Sequence, residues 1–375
     1  MRVGLDLLYL TPGETGGRET YARALVPAML QRCPGLELVA FVNRDAGARL
    51  AGELAEGARA VVVPVSARSR PQWALGELAL VSAAARRARV VLLHSMANFA
   101  PAWGPFRRVV TIHDLQYLAV PQALSPAARH ATHVLVSLAA HRADRIIAVS
   151  RAGRAEIGRG LGIAEARIDV VPNGVRPAPA TPPSTGVRER YGLGERPFVL
   201  TVATNLPHKN LPVLLDALAL IPVQRRPLLV AAGHGTDDGT LRARAAAAGV
   251  AGDVRLLGAR STQELDALYA LAACLVLPTL HEGFGLPVLE AMARSLPVAC
   301  SDIPALREVA GVAALFFDPR APSSIAARIE EVFEPAVAER LRRLGLEQAA
   351  RFSWAAAAEG TLRCYRRALD LPYPA

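Results

Sequence analysis

Hydrophobic and polar positions along the 375-residue chain alternate between short Val/Ile/Leu runs and longer amphipathic stretches. That texture belongs to β-α units feeding parallel sheets covered on both faces. In the first half, Val3–Leu8, Leu38–Val42, Ala60–Val65, Val90–Leu93, Val109–Ile112, Ile146–Val149 and Ile168–Val171 are the expected strands. Helical patterns fall near Glu19–Gln31, Gln72–Ala88, Pro126–Ala140 and Ala152–Leu161. A Pro/Ser/Thr-rich stretch from residue 176 reads as a linker. A second series of strands follows at Phe198–Val202, Leu228–Ala232, Val254–Leu257, Leu275–Leu277, Val298–Cys300 and Ala314–Phe317. The expected architecture is α/β, two doubly wound Rossmann-like domains facing a cleft, with domains 1–175 and 197–353 joined by a linker, 176–196. The helical pattern Trp354–Leu369, within a terminal segment 354–375, can close on either domain.

Composition narrows the class. Hydrophobic residues are 52% and charged residues 20%, enough apolar surface to offset ordering entropy, which excludes a disordered or fibrous chain. The apolar stretch Ala267–Leu280 is shorter than the ~18–20 residues of a membrane span. Asp6 interrupts the apolar N-terminus, as in a buried strand rather than a signal peptide, so a cytoplasmic location is expected. Cys33, Cys274, Cys300 and Cys364 lack metal-ligand or disulfide spacing and read as core residues. The net charge is +10, and residues 1–175 hold 21 Arg against 13 acids, so attraction to anionic partners resides mainly in the first half. Nucleic acid is not expected, because aromatics are only 5% and no nucleic-acid signature occurs. Lys209 is the one lysine among 43 basic residues.

Candidate chemistry clusters after strands. His94, His113, His208, His234 and His281 all follow expected strands, where a polar cleft would be built. Pro278-Thr-Leu-His-Glu282-Gly283-Phe284-Gly285-Leu286-Pro287-Val-Leu-Glu290 leaves a strand and opens a helix. Its glycines admit close backbone approach, and the helix N-terminus suits a diphosphate. Glu290, expected in the first turn, either accepts sugar or ribose hydroxyls or merely complements the helix dipole. Lys209, at the start of the second domain's first helix, either aims a compact charge at phosphates or is a surface cation. Gly16-Gly17 resembles a phosphate-approach turn without the dinucleotide spacing. His113 and Asp114 leave a buried strand together, for hydroxyl contacts and proton handling or for capping and packing. Arg68, Arg70, Arg86, Arg87 and Arg89 bracket an apolar stretch with Trp73, Leu75, Leu78 and Leu80. This is either a peripheral contact with anionic membrane at its inner face or a packed helix with a charged rim.

Taken in order, Gly16-Gly17, Val110-Thr-Ile-His113-Asp114-Leu, Ile147-Ala-Val-Ser150, Val171-Pro-Asn-Gly174, Pro207-His-Lys209-Asn, Gly258, Glu282-Gly-Phe-Gly-Leu-Pro-Val-Leu-Glu290 and Asp302-Ile-Pro-Ala-Leu-Arg-Glu-Val-Ala-Gly311 resemble retaining glycosyltransferase family 4. The resemblance extends to Phe352-Ser-Trp354 and implies the two-Rossmann GT-B fold, with an acceptor-binding first domain, a nucleotide-sugar-binding second domain, and the C-terminal helix crossing back to the first. It implies that Lys209 binds the donor diphosphate, Glu290 the ribose and Glu282 the donor sugar, while main-chain N–H groups from Gly283 to Leu286 hold sugar or phosphate. Gly16 and Gly17 would admit the phosphate, and His113 would sit at the reacting face, so His113, Glu282 and Lys209 are the expected catalytic residues. Many relatives place Gly-Arg where Ala203-Thr204 stands, so here the phosphate charge falls to Lys209, the helix dipole and either His208 or an arginine of the first domain.

The implied reaction moves a hexose from a nucleotide diphosphate sugar to a hydroxyl of a glycan, lipid-linked or small-molecule acceptor, with retained anomeric configuration. No DxD triplet occurs, consistent with metal-independent transfer and no cofactor beyond the co-substrate. GDP-mannose is the favoured donor, with UDP-hexoses next. The competing readings are a GT-B epimerase or hydrolase and a non-catalytic sugar-nucleotide binder.

Overall fold

The computed structural model describes residues 1–47, 50, 58–179 and 186–371, so part of the expected linker, 180–185, lies outside the described residues. The chain divides into two compact units, Met1–Gly174 with Ser353–Ala375, and Val175–Phe352.

In the first unit, β1 (Arg2–Leu7), β2 (Glu37–Asn43), β3 (Ala58–Val63), β4 (Leu92–Ser95), β5 (Arg107–Ile112), β6 (Arg145–Ala148) and β7 (Ile168–Val170) form one parallel sheet of order β3-β2-β1-β4-β5-β6-β7. The period-2 geometry of a strand sorts its residues between two cores. Leu38, Ala40 and Val42 pack with Tyr21, Leu25 and Met29 of the helix Gly17–Arg32 and with Leu362 and Tyr365 of the helix Trp354–Ala368. Val39 and Phe41 face the other way, onto Val81 and Ala85. Both faces are covered, which explains why these strands read as nearly continuous apolar runs.

The C-terminal helix is tied in by a buried polar ladder. Tyr365 Oη lies 2.7 Å from His94 Nδ1, His94 Nε2 lies 2.7 Å from Thr111 Oγ1, and Thr111 Oγ1 lies 3.1 Å from Tyr21 Oη. His94 therefore belongs inside β4 and beneath the helices, not in a cleft-lining loop as its position after an apolar run suggested. Gly174 crosses the start of this helix so closely that a Cβ would lie 2.1 Å from Trp354 N, leaving room for glycine alone.

The arginine-bracketed stretch forms a helix, Arg70–Leu75 and Val81–Arg87 flanking a π-helical turn at Gly76–Leu80. Trp73 packs edge-on against Phe99, while Leu75 and Leu78 remain exposed at its surface. No helix among the described residues is long and apolar enough to cross a membrane.

The second unit holds β8 (Phe198–Val202), β9 (Leu228–Ala232), β10 (Val254–Gly258), β11 (Cys274–Leu277), β12 (Val298–Ser301) and β13 (Leu315–Phe317), parallel throughout, in the order β10-β9-β8-β11-β12-β13. One face of this sheet, with Val199, Leu229, Val276 and Phe317, packs against Leu214, Leu218, Ile325 and Ile329 of the helices Leu211–Leu220 and Pro322–Val332.

Candidate active site

Both sheets reverse strand order beside their first strand, at β1/β4 in the first unit and β8/β11 in the second. Loops diverge at such a reversal and leave a crevice beyond the carboxyl ends of the strands, the usual ligand position in open parallel sheets.

In the second unit, the loops leaving β8 and β11 are joined there. The carbonyl of His208 accepts hydrogen bonds from Leu280 N at 2.7 Å and Thr279 Oγ1 at 2.9 Å. Asn210 has φ +58°, a left-handed conformation that asparagine tolerates better than most residues, and begins the helix Leu211–Leu220. Its buried amide donates to the carbonyls of Pro278 at 3.0 Å and Pro319 at 2.7 Å, tying three loops together. On this platform Lys209 Nζ donates to Glu282 Oε1 at 2.6 Å, with 19% and 12% of the two side chains exposed. Lys209 and Glu282 are thus a single ion pair at the switch point, neither a surface cation nor a solvated loop acid. An ammonium has three donors, so two remain for an incoming anion after one is committed to Glu282.

The glycine-rich turn follows. Gly285 has φ +104° and precedes the helix Leu286–Met292, with Pro287 at its second position. Phe284 is buried edge-on against Phe352, 5.8 Å between ring centres, which fixes the turn from below. Glu290 lies in the second turn of that helix, not the first, so complementing the helix dipole does not explain it. Its carboxylate accepts a hydrogen bond from Tyr269 Oη at 2.9 Å. Burial pushes its pKa above the usual carboxylate value, opposed by the Tyr269 hydrogen bond and by the charges of Arg294 and Arg176. Thr204 follows β8 and is partly exposed.

In the first unit, Gly16 has φ +59° and caps the helix that Gly17 begins, its carbonyl accepting from Glu19 N and Thr20 N. His113 follows β5 and is buried. Asn98 pins this exit, accepting from His113 N at 2.9 Å and donating to the Asp114 carbonyl at 2.8 Å. His113 Nε2 lies 2.9 Å from the Met96 carbonyl, which can only accept, so Nε2 carries the proton and Nδ1 is the lone pair. Asp114 caps the turn at Gln116 N, 3.2 Å away. Asn210, Asn98 and Tyr269 were not expected as site residues. The only sequence signal for the first was an asparagine directly before a Leu-Pro helix start.

Burial drives the pKa of His113 down to about 4 and that of His94 down to about 3. Both imidazoles are therefore neutral at physiological pH. The unfolded chain takes up these protons near pH 6.5, so their contribution to stability is complete above about 6.5 and falls away as the pH drops toward 4. Histidine-selective NMR should show both rings unprotonated at pH 5.5; titration of either ring near 6.5 in the folded protein would contradict this burial.

Two Rossmann-like parallel sheets, each with a switch point beside its first strand, fit the GT-B class of folds. Residues 15–178 match the family model described as Glycosyltransferase Family 4, and residues 186–350 match that of Glycosyl transferases group 1. The chain is 32% identical to O-antigen chain mannosyltransferase B of Escherichia coli, over 69% of this chain and 70% of that protein. It is also 32% identical to a GDP-mannose-dependent alpha-(1-6)-phosphatidylinositol monomannoside mannosyltransferase of Mycobacterium tuberculosis, over 64% and 72%. Sucrose-phosphate synthase of Thermosynechococcus elongatus shares the fold, with a TM-score of 0.81 at 21% identity over 99% of both chains. The chain belongs to glycosyltransferase family 4 and is a mannosyltransferase-like glycosyltransferase of glycan biosynthesis.

Proposed function

We propose that this glycosyltransferase moves mannose from GDP-mannose to a hydroxyl of a glycan or lipid-linked acceptor, with retention of the anomeric configuration. We assign the donor to the second unit and the acceptor to the first, with Gly16, Gly17 and His113 as the first unit's substrate-contacting residues. The observation that carries this reading is the Lys209–Glu282 pair held at the β8/β11 reversal by Asn210. The mannosyltransferases among the relatives, one of them GDP-mannose-dependent by name, support the choice of donor.

When the glycosyl–oxygen bond breaks, its electron pair goes to the β-phosphate oxygen, and positive charge develops at the sugar ring. The remaining donors of Lys209 and the main-chain N–H groups of the Phe284–Leu286 turn meet the new phosphate charge, which is where preorganised electrostatics contribute most. Glu282, anchored by Lys209, accepts from sugar hydroxyls. The acceptor oxygen attacks from the face the diphosphate leaves, and its proton passes to the departing phosphate oxygen, so no protein nucleophile is required.

The test is incubation of the protein with GDP-mannose or UDP-glucose and a membrane-derived glycan acceptor, with product analysis by proton NMR. An α-mannoside and GDP in equal amounts are expected. Release of free mannose or an epimerised nucleotide sugar, or a preference for the UDP sugar, would overturn the reading.

A further inference from the structure

Outside the residues that touch the proposed diphosphate, one buried network in the second unit leads directly to Glu290. Tyr269, on the helix Thr262–Leu271, is 2% exposed and donates its hydroxyl proton to Glu290 Oε2 at 2.9 Å. Three positions earlier on the same helix, Asp266 is also buried and holds two arginines. Arg294 reaches Asp266 Oδ1 through Nε at 3.1 Å and Nη2 at 2.5 Å, while its Nη1 donates to the carbonyl of Glu290 at 2.9 Å. Its guanidinium carbon sits 5.1 Å from the centre of the Tyr269 ring. Arg176 Nη2 lies 2.9 and 2.7 Å from the two Asp266 oxygens, sharing Oδ1 with Arg294.

The helix carrying Glu290 and the helix carrying Tyr269 are thereby clamped together at both backbone and side chain. A carboxylate has about four acceptor directions, and the phenol fills one of them on Oε2. The buried phenol keeps its proton and donates it to Oε2, which favours one rotamer of Glu290. The remaining acceptor directions suit two neighbouring hydroxyl donors on one ligand, the chemistry of a ribose 2′,3′-diol.

We propose that Tyr269 is a positioning residue for nucleotide recognition: it holds the Glu290 carboxylate in the orientation that accepts the vicinal ribose hydroxyls, and the Asp266–Arg294 pair holds Tyr269. This rests on the reading that Glu290 binds the ribose. Removing the phenolic oxygen leaves the ring packing intact but frees the carboxylate to rotate. It also removes a donor that favours the ionised carboxylate, leaving burial and Asp266 opposed only by Arg294 and Arg176.

The test compares binding of GDP with its 2′,3′-dideoxy analogue by calorimetry, for the wild-type chain, Tyr269→Phe and Glu290→Gln, with the UDP pair run in parallel. In Tyr269→Phe the ribonucleotide should bind about tenfold more weakly, as expected for one hydrogen bond to a charged group, with the dideoxy analogue unchanged. The acid limb of ribonucleotide binding should also move to higher pH. If Glu290→Gln loses the preference for the ribonucleotide while Tyr269→Phe keeps it, Glu290 reads the ribose and the positioning role falls. Equal weakening of both nucleotides in Tyr269→Phe likewise overturns it. If Glu290→Gln keeps the preference, or the wild-type chain binds no nucleotide, the ribose reading and the positioning role fall together.

Discussion

Lys209→Ala is expected to lower the turnover of sugar transfer by about two to three orders of magnitude, the usual cost of removing a preorganised group that stabilises developing negative charge. Two losses combine. On the proposed reading the departing diphosphate loses the ammonium that meets its charge, and Glu282 loses the ammonium 2.6 Å from its Oε1. An uncompensated carboxylate beside the phosphate site would also repel the donor, so donor affinity falls together with turnover. Lys209→Arg keeps the charge but replaces a compact ammonium with a planar fork, and should recover only part of the rate. Initial rates at saturating donor, with a thermal melt to establish folding, make the measurement. A folded Lys209→Ala enzyme within threefold of the wild-type rate would remove Lys209 from the mechanism.

The largest stability effect is expected at Gly233. This residue has φ +144°, and a Cβ on it would lie 2.0 Å from the carbonyl oxygen of Ala203. Backbone is on both sides of the collision, because Gly233 N donates to the Gly258 carbonyl at 2.8 Å and Ala203 N donates to the Ala232 carbonyl at 3.0 Å. The exits of three adjacent strands are therefore fixed around a point with no space for a methyl group. Gly233→Ala should cost about 4 kcal/mol or more, as for other changes forcing backbone to move, and lower the second unit's melting temperature by about 8–16 °C. Gly249→Ala is the control: its φ is also positive, at +69°, but nothing lies within 4 Å of its would-be Cβ. It should cost only about 1–2 kcal/mol from conformation alone. Equal melting shifts for the two variants would mean that the contact with Ala203 is not what Gly233 serves. Because Ala203 leads into the loop bearing Lys209, the Gly233 variant should also lose donor affinity at temperatures where it remains folded.

The local structure was legible in the order of the residues. Apolar runs of three to six residues separated by helical periods specify buried parallel strands, and each of the thirteen expected runs contains or overlaps an observed strand. This is legible because the pattern repeats every two residues in a strand and about every 3.6 in a helix, whatever the rest of the chain does. The loop chemistry was legible for a related reason. Gly285 and Pro287 announce a helix start after a strand, and strand ends are where ligands of such sheets bind.

Which residue meets which was not legible in the sequence and follows from the assembled fold. Lys209 and Glu282 are 73 positions apart, and they pair because β8 and β11 are neighbours, an order that no local period encodes. His94 and Tyr365 are separated by 271 positions, and their contact turned an apparent cleft histidine into a neutral joint of the core. Glu290 shifted by one turn from its expected place, and its partner Tyr269 lies on a different helix, so its local motif gave no sign of what orients it. Periodicity reports which face of an element is buried, but pairing energies act between elements distant in sequence and depend on strand order. The candidate residues of the site were therefore visible in its letters, while their pairings and orientations arise only when the sheets assemble.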